Sequence, residues 1–282
     1  MAARVSMAPR VASPREGYPG LSVVRVAVLG GLGLGLPVVA LVARAVLDGS
    51  LARAIGLTPV LDALSLSLVT TAISLVATVA VGLPLAYVLA RRRFPGSTIL
   101  ETVIDLPIVL PPSVAGLALL LVLGRKGLLG APLAFLGISL PFTTVAVVIA
   151  QTFVAAPFFI RSARTGIAGV DHDLEDAARV DGASEWQVFR SIIMPLASSA
   201  LAAGLVMSWA RSLGEFGATI MFAGNVQGRT ETLPLLVYDQ FQGGNLDASI
   251  AAAVILILAA FGVLVAVRLL HWGRVLDLRG GG

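Results

Sequence analysis

The chain has 282 residues, is 57% hydrophobic and only 13% charged, and has a mean hydropathy of +0.94. A soluble core of this size cannot hide so much aliphatic surface, so the composition indicates a membrane protein. The absence of cysteine excludes disulfides, cysteine metal sites and thiol nucleophiles, and the net charge of +4 does not indicate nucleic acid because the basic residues are dispersed between apolar runs.

Six apolar segments reach the length of roughly 20 residues that a membrane-spanning helix needs. We therefore predict an all-α polytopic membrane protein with six transmembrane helices, at about 24–46, 63–90, 98–124, 141–163, 195–224 and 248–270. A polar arm, residues 1–22, precedes this transmembrane domain of residues 23–270 and is predicted to be disordered, and residues 271–282 form a polar tail. The first apolar run is longer than the core of a signal peptide, so we interpret it as a retained anchor.

The distribution of arginine and lysine predicts the orientation of the chain, because cytoplasmic loops keep an excess of both. Fourteen of these residues lie in the termini or close to the connections that follow the second and fourth predicted spans, against five in the other connections. We therefore expect both termini on the cytoplasmic side of the membrane. The connection between the fourth and fifth spans is expected on that side too.

The third predicted span contains an ionisable residue, Asp105, at the start of the run DLPIVLPPSVAG. A charged side chain at membrane depth costs on the order of a few kcal/mol on insertion scales, so Asp105 is a functional candidate. Pro111 and Pro112 bend a helix and free backbone carbonyls, which is tolerated where protein or a water-filled cavity supplies partners. The segment either lines a translocation path or subunit seam, or is a structural kink with Asp105 near the lipid headgroups.

A polar segment, DLEDAARVDGASEWQVFRSIIMP, ends the connection between the fourth and fifth spans, residues 164–195, which we name the polar loop. Asp173 is predicted to cap a first short helix, and Gly182 to end it in the left-handed conformation. Ser184 and Gln187 have the spacing of a capping box and predict a second short helix, which carries Trp186, Phe189 and Ile192 toward the membrane.

Small and acidic residues are predicted to form the surface of the polar loop. Ala177 and Ala178 would let another backbone approach closely. Acids are expected to surround these alanines, at Asp171, Asp173, Glu175, Asp176, Asp181 and Glu185. An ordinary amphipathic connector between two spans is the alternative interpretation of the same composition.

The fifth predicted span contains Arg211 and Glu215, four residues apart and therefore on one helix face. One interpretation is a structural ion pair that reduces the cost of burial. The other places the pair on a translocation path, where Arg211 offers a planar cationic donor to a tetrahedral anion, with Ser212 and Thr219 on the same path. The span exceeds the roughly 30 Å apolar core of a bilayer, so we expect a bend near the glycines that flank Glu215 or a cytoplasmic extension.

The polar loop resembles the signature of ABC importer permeases, which reads Glu-Ala-Ala, three residues, Gly, nine residues, Ile, one residue and Leu-Pro. In this chain the signature is formed, directly after Glu175, by Asp176, Ala177, Ala178, Gly182, Ile192, Met194 and Pro195. The resemblance implies a type I ABC importer transmembrane domain in the bacterial plasma (inner) membrane, whose polar loop docks on a separate ABC ATPase subunit. Consistently, the chain has no G-x-x-x-x-G-K-[ST] phosphate loop.

A narrower resemblance rests on residues 208–241 and on the runs VLPPSVAG, GRKGLLG and VIAQTFVAAPFFIRSA. These are similar to molybdate, tungstate and sulfate permeases, most of all to the molybdate branch, and the resemblance covers about residues 60–270. It implies that this chain binds no cofactor and has no catalytic residue or metal site, since ATP and Mg²⁺ belong to the ATPase. The other partners that it implies are a second permease copy and an extracytoplasmic oxyanion-binding protein.

Three alternatives remain open. Within the family, the substrate could be tungstate or sulfate/thiosulfate instead of molybdate. An ion-coupled secondary transporter would use Asp105 and Glu215 as proton or cation sites. A membrane scaffold that transports nothing would use the polar loop to bind a partner.

Overall fold

The computed structural model describes residues 21–277, and over this range the chain is helical and has no strand. The predicted all-α class is thus confirmed for the described residues. In chain order, the helices are α1 Leu21–Leu47, α2 Ser50–Ile55, α3 Thr58–Arg91, α4 Ser97–Val109, α5 Pro112–Leu123, α6 Gly130–Phe135, α7 Thr144–Ala168, α8 His172–Val180, α9 Glu185–Val188, α10 Met194–Leu196, α11 Ser198–Leu213, α12 Gly217–Phe222, α13 Leu233–Gln242 and α14 Leu246–Asp277, with a π-helical turn at Phe189–Ile193.

The described residues contain four uninterrupted helical segments that are long and apolar enough to cross a membrane: Val28–Leu47, Thr58–Arg91, Thr144–Ala168 and Leu246–Val265. Two bent pairs of helices raise the number to six when each pair is counted as one span. The first pair, α4 and α5, bends by 120°, and the second, Glu185–Leu196 and α11, bends by 72°. The six predicted spans therefore correspond to four uninterrupted helices and two broken ones in the described residues.

Proline chemistry explains the break in the third span. Leu110 and Pro111 have extended backbones, with ψ values of 133° and 135°. A proline disfavours the helical conformation in the residue before it, so α4 ends before Pro111. Pro112 then occupies the first turn of α5, where a missing N–H breaks no hydrogen bond. The bend predicted from this proline pair is confirmed.

The fifth predicted span, 195–224, is not one helix. It bends at Ala197, and its helix ends at Leu213. The next helix, α12, begins only at Gly217, so the helix is interrupted at the glycines that flank Glu215, where a bend or a cytoplasmic extension was expected. The break at Ala197 was not predicted. Pro195 lacks the N–H that a helix would use at that position, and a π-helical turn precedes it.

The chain divides into two units, which meet at Arg44 and Ala45. In the first unit, α1 has large apolar side chains with high exposure, such as Leu29 and Leu34, as a lipid-facing helix requires. The predicted arm lies outside the described residues as far as residue 20. In the second unit, α14 continues through residues 271–277, so the first part of the predicted tail is helical.

Helices α3, α7 and α11 form the packed centre of the second unit. Gly82 of α3 approaches Phe159 and Ile160 of α7 so closely that an added Cβ would lie 3.0 Å from each. On α11, a Cβ at Gly204 would lie 2.9 Å from Cβ of Ser162. Small residues let membrane helices approach closely, because lipid supplies no hydrophobic force between them.

One face of α3 is polar and fully buried, with hydroxyl groups at Ser67, Thr70, Thr71, Ser74 and Thr78. Ser74 Oγ lies 3.3 Å from Oγ of Ser212 on α11 and accepts a hydrogen bond of 3.1 Å from Thr152 of α7. Ser67 Oγ accepts the backbone N–H of Leu233 at 2.7 Å. Such hydrogen bonds fix neighbouring helices to each other in an apolar solvent.

Candidate coupling site and polar groups of the spans

The first helix of the polar loop, α8, begins earlier than predicted. Its N-cap is Asp171, whose carboxylate accepts the backbone N–H of Asp173 at 3.0 Å. The prediction that Asp173 caps this helix is therefore wrong. Asp171 has the extended backbone that a cap requires, with φ −65° and ψ 128°, and Asp173 lies inside the first turn. There its negative charge still interacts favourably with the helix dipole.

Gly182 ends α8 as predicted. Its φ is +89°, and its N–H donates to Arg179 O at 3.0 Å. The next residue, Ala183, donates to Ala178 O at 2.9 Å, which completes a Schellman motif. An added Cβ at Gly182 would meet nothing within 4 Å, so glycine is needed here for its backbone conformation and not for space inside the chain.

The predicted capping box starts α9. Ser184 Oγ accepts the N–H of Gln187 at 3.4 Å, and Gln187 Oε1 accepts the N–H of Ser184 at 2.7 Å. Further along, Ile192 is half-buried against the apolar cluster around Phe159, and Pro195 is exposed. The polar loop is thus two short helices joined at Gly182, as expected.

The outer surface of the polar loop combines small, acidic and large apolar side chains. Asp176 and Ala177 are exposed, whereas Ala178 is half-buried. Val180 is 87% exposed and Trp186 is 65% exposed. The sequence reasoning did not assign these two residues to the surface: it did not consider Val180, and it expected Trp186 to point toward the membrane. Large apolar side chains in a polar segment were the signal for both.

Glu175 is not part of this outer surface, contrary to the prediction. It is buried and forms ion pairs with Arg91, the last residue of α3, and with Arg179, one turn further along α8. Arg179 also binds Asp176 at 2.7 Å and Glu185 at 2.8 Å. The hydrogen bond to Glu185 is the main cause that raises the pKa of Arg179 above its ordinary value.

Asp105 is not an isolated charge. Its carboxylate lies 3.0 Å from the guanidinium of Arg161, and four residues earlier Glu101 pairs with Arg164 at 2.9 Å. These two ion pairs join α4 to α7. All four side chains are at least 30% exposed, so neither ion pair is buried in the protein.

Arg211 and Glu215 form the predicted ion pair, with Nη1 and Oε2 2.5 Å apart. The Glu215 side chain is fully buried, and its Oε1 accepts the N–H of Ala218 at 2.7 Å. Glu215 therefore links α11 to the first turn of α12. The Arg211 side chain remains 27% exposed and can reach a ligand with its free N–H groups.

The remaining candidate path residues lie on α11, on α12 and at the start of α5. Ser212 is buried against Ser74. Pro111 and Pro112 are exposed, and a Cβ at Gly217 would lie only 2.7 Å from Cβ of Pro112, so α5 and α12 begin side by side. Thr219 is fully buried, and its hydroxyl has no hydrogen-bond partner in the described part of the chain.

A third buried carboxylate, Glu231, lies in the connection between α12 and α13. It is 7% exposed and forms no ion pair with any residue of the range 21–277. Burial, and secondarily the charge of Asp239, raises the pKa of Glu231. Sequence reasoning did not single out this residue, because nothing in the sequence predicts its burial.

Comparisons with known proteins identify the class of this molecule. The family described as the binding-protein-dependent transport system inner membrane component matches residues 82–272. The molybdenum transport system permease protein ModB of Escherichia coli (strain K12) is 38% identical over 210 residues, which cover 73% of this chain and 92% of that protein. The sulfate transport system permease protein CysT of the same strain is 36% identical over 190 residues, 67% of this chain and 69% of that protein.

Among solved structures, a chain of a bacterial ABC transporter involved in the import of the acidic polysaccharide alginate superposes with a TM-score of 0.70. It is 16% identical in sequence and covers 90% of this chain and 95% of its own length. The predicted type I ABC importer transmembrane fold is confirmed.

This chain belongs to the family of binding-protein-dependent transport system inner membrane components. It is a multi-pass protein of the inner membrane, in agreement with its apolar helices. The predicted resemblance to ABC importer permeases is confirmed, and these relatives are transport subunits, not enzymes. Family membership also argues against the ion-coupled alternative, whose two carboxylates, Asp105 and Glu215, are both paired with arginines.

Proposed function

We propose that this chain is the membrane-spanning subunit of an ATP-driven importer of oxyanions, with molybdate as its preferred substrate. The observation that carries the proposal is the identity of 38% to a molybdenum permease over 92% of that protein's length. A sulfate permease matches at 36% over a smaller share of its length, which keeps sulfate and thiosulfate as competing substrates, together with tungstate.

The polar loop is proposed to dock on a separate ATPase subunit, which binds ATP and Mg²⁺. Its shape supports this role, because two capped helices present exposed small and apolar side chains at Ala177, Val180 and Trp186. Exposed acids lie beside them, at Asp173, Asp176, Asp181 and Glu185. A partner groove with an apolar floor and a basic rim is the complement of this surface.

The remaining partners follow from the family. We propose that a second copy of this chain completes the pathway and that an extracytoplasmic binding protein delivers the anion. ATP binding draws the two polar loops together and opens the pathway outward, and hydrolysis returns it to the inward-facing state. The charge distribution supports cytoplasmic termini and a cytoplasmic polar loop.

Arg211 is the proposed anion contact on the path. It is the one arginine of α11, and its side chain is 27% exposed although it is paired with Glu215. The ion pair with Glu215 holds the guanidinium in one orientation and reduces its net positive charge. A passing anion is then attracted without being trapped, which transport requires.

Uptake in proteoliposomes tests the function directly. The chain is reconstituted with its ATPase and binding protein, and accumulation of radiolabelled molybdate is measured with ATP inside or outside the vesicles. We expect uptake only when ATP reaches the ATPase, unchanged by a proton uncoupler, and inhibited by unlabelled tungstate more strongly than by sulfate. Uptake that continues without the ATPase and collapses with the uncoupler would establish the secondary transporter instead.

The same proteoliposomes distinguish a transporter from a membrane scaffold that transports nothing. It predicts that the ATPase binds to the vesicles while no anion accumulates under any nucleotide condition. Competition by sulfate that equals or exceeds competition by molybdate would move the substrate to sulfate and leave the ATP-driven mechanism intact.

A further inference from the structure

The buried end of α3 carries an arginine to which the proposed function assigns no role. The Arg91 side chain is 7% exposed and pairs with Glu175 of α8, whose side chain is 2% exposed. Its guanidinium donates to Val170 O at 3.2 Å and lies 3.4 Å from Nε2 of His172. One side chain of α3 therefore contacts the connection between α7 and α8 and the first turn of α8.

A second contact joins the same face of α3 to the other half of the polar loop. Tyr87 lies four residues before Arg91, so the two side chains point to one side of the helix. The Tyr87 ring meets the ring of Phe189 edge-on, with centroids 5.3 Å apart, and Phe189 stacks on Trp186 at 5.6 Å. Both halves of the polar loop are thus attached to the last turns of α3.

The middle of α3 is attached to the proposed anion path. Ser74 lies 17 residues before Arg91, about 25 Å along the helix, and its hydroxyl contacts Ser212, the neighbour of Arg211. Further along, Ser67 binds the backbone of Leu233. A single helix of 34 residues therefore contacts the polar loop at one end and the residues beside Arg211 near its middle.

We propose that Arg91 is a positioning residue for energy coupling. Through Glu175 it makes α3 move together with the polar loop, so that a displacement of the docked loop reaches Ser212 and Arg211. This inference rests on the proposed function, because it requires the polar loop to dock on an ATPase.

The physical reason is the difference between polar and apolar contacts. The polar loop is covalently continuous with α7 and α11 but not with α3. Apolar contacts around Ala86 and Val188 are non-directional, so they permit the surfaces to slide. A buried ion pair with an additional hydrogen bond to Val170 O has a fixed geometry, and separating it leaves charges in a low-dielectric environment.

The charge network of α8 makes the inference testable without unfolding the protein. Oε2 of Glu175 accepts a hydrogen bond from Arg179 at 3.3 Å. In the variant Arg91→Gln, Glu175 therefore keeps one arginine, and the polar loop keeps both of its caps. Arg91→Lys retains the positive charge opposite Glu175. It loses the branched guanidinium group, whose other N–H groups contact Val170 and His172.

Coupling is measured on the complete importer in proteoliposomes, with ATPase and binding protein. For Arg91→Gln we expect normal amounts of assembled complex and normal basal ATP hydrolysis. Stimulation by the molybdate-loaded binding protein, and uptake per complex, should fall by about tenfold, within the range of typical allosteric coupling. Arg91→Lys should recover part of this loss. Glu101→Gln, outside the polar loop, breaks the partly exposed pair with Arg164 between α4 and α7 and should leave stimulation unchanged.

The outcomes separate the two proposals. A wild-type complex without stimulation contradicts the proposed function itself. Stimulation that is normal in the wild type and equally normal per complex in Arg91→Gln overturns the role of Arg91. A variant that assembles poorly, but is fully stimulated once assembled, shows a merely structural residue and overturns the role as well.

Distance measurements test the joint movement of α3 and α8. Two cysteines are introduced for spin labelling, Val88→Cys on α3 and Asp173→Cys on α8, and both positions are exposed. Because the chain has no native cysteine, the labels react with these two positions alone. In the otherwise wild-type complex, the distance between the labels should be the same with and without ATP. Adding Arg91→Gln should make it nucleotide-dependent. A distance that already changes with ATP when Arg91 is present contradicts the proposal.

Discussion

The polar loop and the fifth span contain the same local feature and use it differently. In each, an arginine and a glutamate four residues apart form an ion pair in which the carboxylate is buried and the arginine is about one third exposed. Glu175 has a second partner in Arg91, from a distant helix, whereas the second partner of Glu215 is the N–H of Ala218, three residues along. The additional partner therefore decides whether a buried carboxylate joins distant helices or only consecutive ones.

Glu231 is the third member of the comparison. It is buried and forms no ion pair with any arginine among residues 21–277. Its pKa is raised by burial, as expected for a carboxylate whose charge is not compensated. The three glutamates therefore differ in the cost of keeping their charge. This difference predicts how strongly each substitution affects stability.

The largest loss of stability is expected for Glu175→Ala. It leaves Arg91 almost fully buried without its carboxylate, which costs about 3 to 5 kcal/mol for a buried pair. Glu215→Ala should cost less, about 1 to 3 kcal/mol, because Arg211 can hydrate and the main loss is the hydrogen bond to Ala218. Thermal unfolding of the purified chain in detergent measures both. The comparison fails if Glu215→Ala is the more damaging substitution.

Substitution of Gly182 tests whether the polar loop surface docks on the ATPase. Gly182→Val forces a β-branched residue into the left-handed region, at a cost of at least about 1 kcal/mol, and should abolish stimulated ATP hydrolysis. Asparagine tolerates the left-handed conformation, so Gly182→Asn only adds a side chain to the surface of the polar loop. Loss of stimulated ATP hydrolysis in Gly182→Asn would therefore show that the ATPase subunit approaches Gly182 closely. Gly169→Ala is the matched control, because Gly169 has a negative φ and room for a Cβ. Full stimulation in Gly182→Val would remove the docking role.

Arg211→Gln separates the two interpretations of the fifth span. As the proposed anion contact, Arg211 should matter more for flux than for folding, so uptake should fall by about tenfold or more while complex assembly falls less. Uptake per assembled complex gives the answer. An equal decrease in assembly and uptake would assign the pair a purely structural role.

A smaller effect is expected for Ser184→Ala, which removes the serine half of the capping box. The loss of one N-cap should cost about 1 kcal/mol and be confined to the start of α9. Hydrogen exchange of the polar loop, measured by mass spectrometry, should increase between Ala183 and Val188 and remain unchanged in α7. Faster exchange throughout the protein would contradict a local cap.

The smallest effect, and the only stabilising one, is expected for Glu231→Gln. Because the folded pKa is raised, the carboxyl group favours folding while it is protonated, and this contribution is lost as the pH rises through the folded pKa. The variant should therefore unfold at a higher temperature than the wild type at pH 8 and at the same temperature near pH 4. A lower unfolding temperature at pH 8 would mean that Glu231 has a partner.

Local features of this protein could be predicted from its sequence. The left-handed Gly182, the capping box at Ser184 and the break at Pro111 each depend on a few adjacent residues. The interactions that determine each feature lie within those few residues. The prediction of Asp173 as the cap failed because Asp171, two residues earlier, can form a similar cap, and the sequence does not fix where α7 ends.

Long-range features could not be predicted. Arg91 and Glu175 are 84 positions apart, and only the packing of α3 against α7 brings them together. The pairing of Asp105 with Arg161 has the same origin. Helix α13 was missed because its ten residues are too few for a span and lie in a stretch that was interpreted as a connection. Family resemblance supplied the fold, but not these contacts.

Chemical labelling of two single cysteines tests the central claim most directly. Val180→Cys lies on the polar loop and Leu128→Cys in the connection between α5 and α6, and both positions are more than 80% exposed. In inside-out vesicles, a membrane-impermeant maleimide should label Val180→Cys, not Leu128→Cys, and the ATPase subunit should block that labelling. Labelling of Val180→Cys at the same rate with and without bound ATPase would contradict docking through the polar loop.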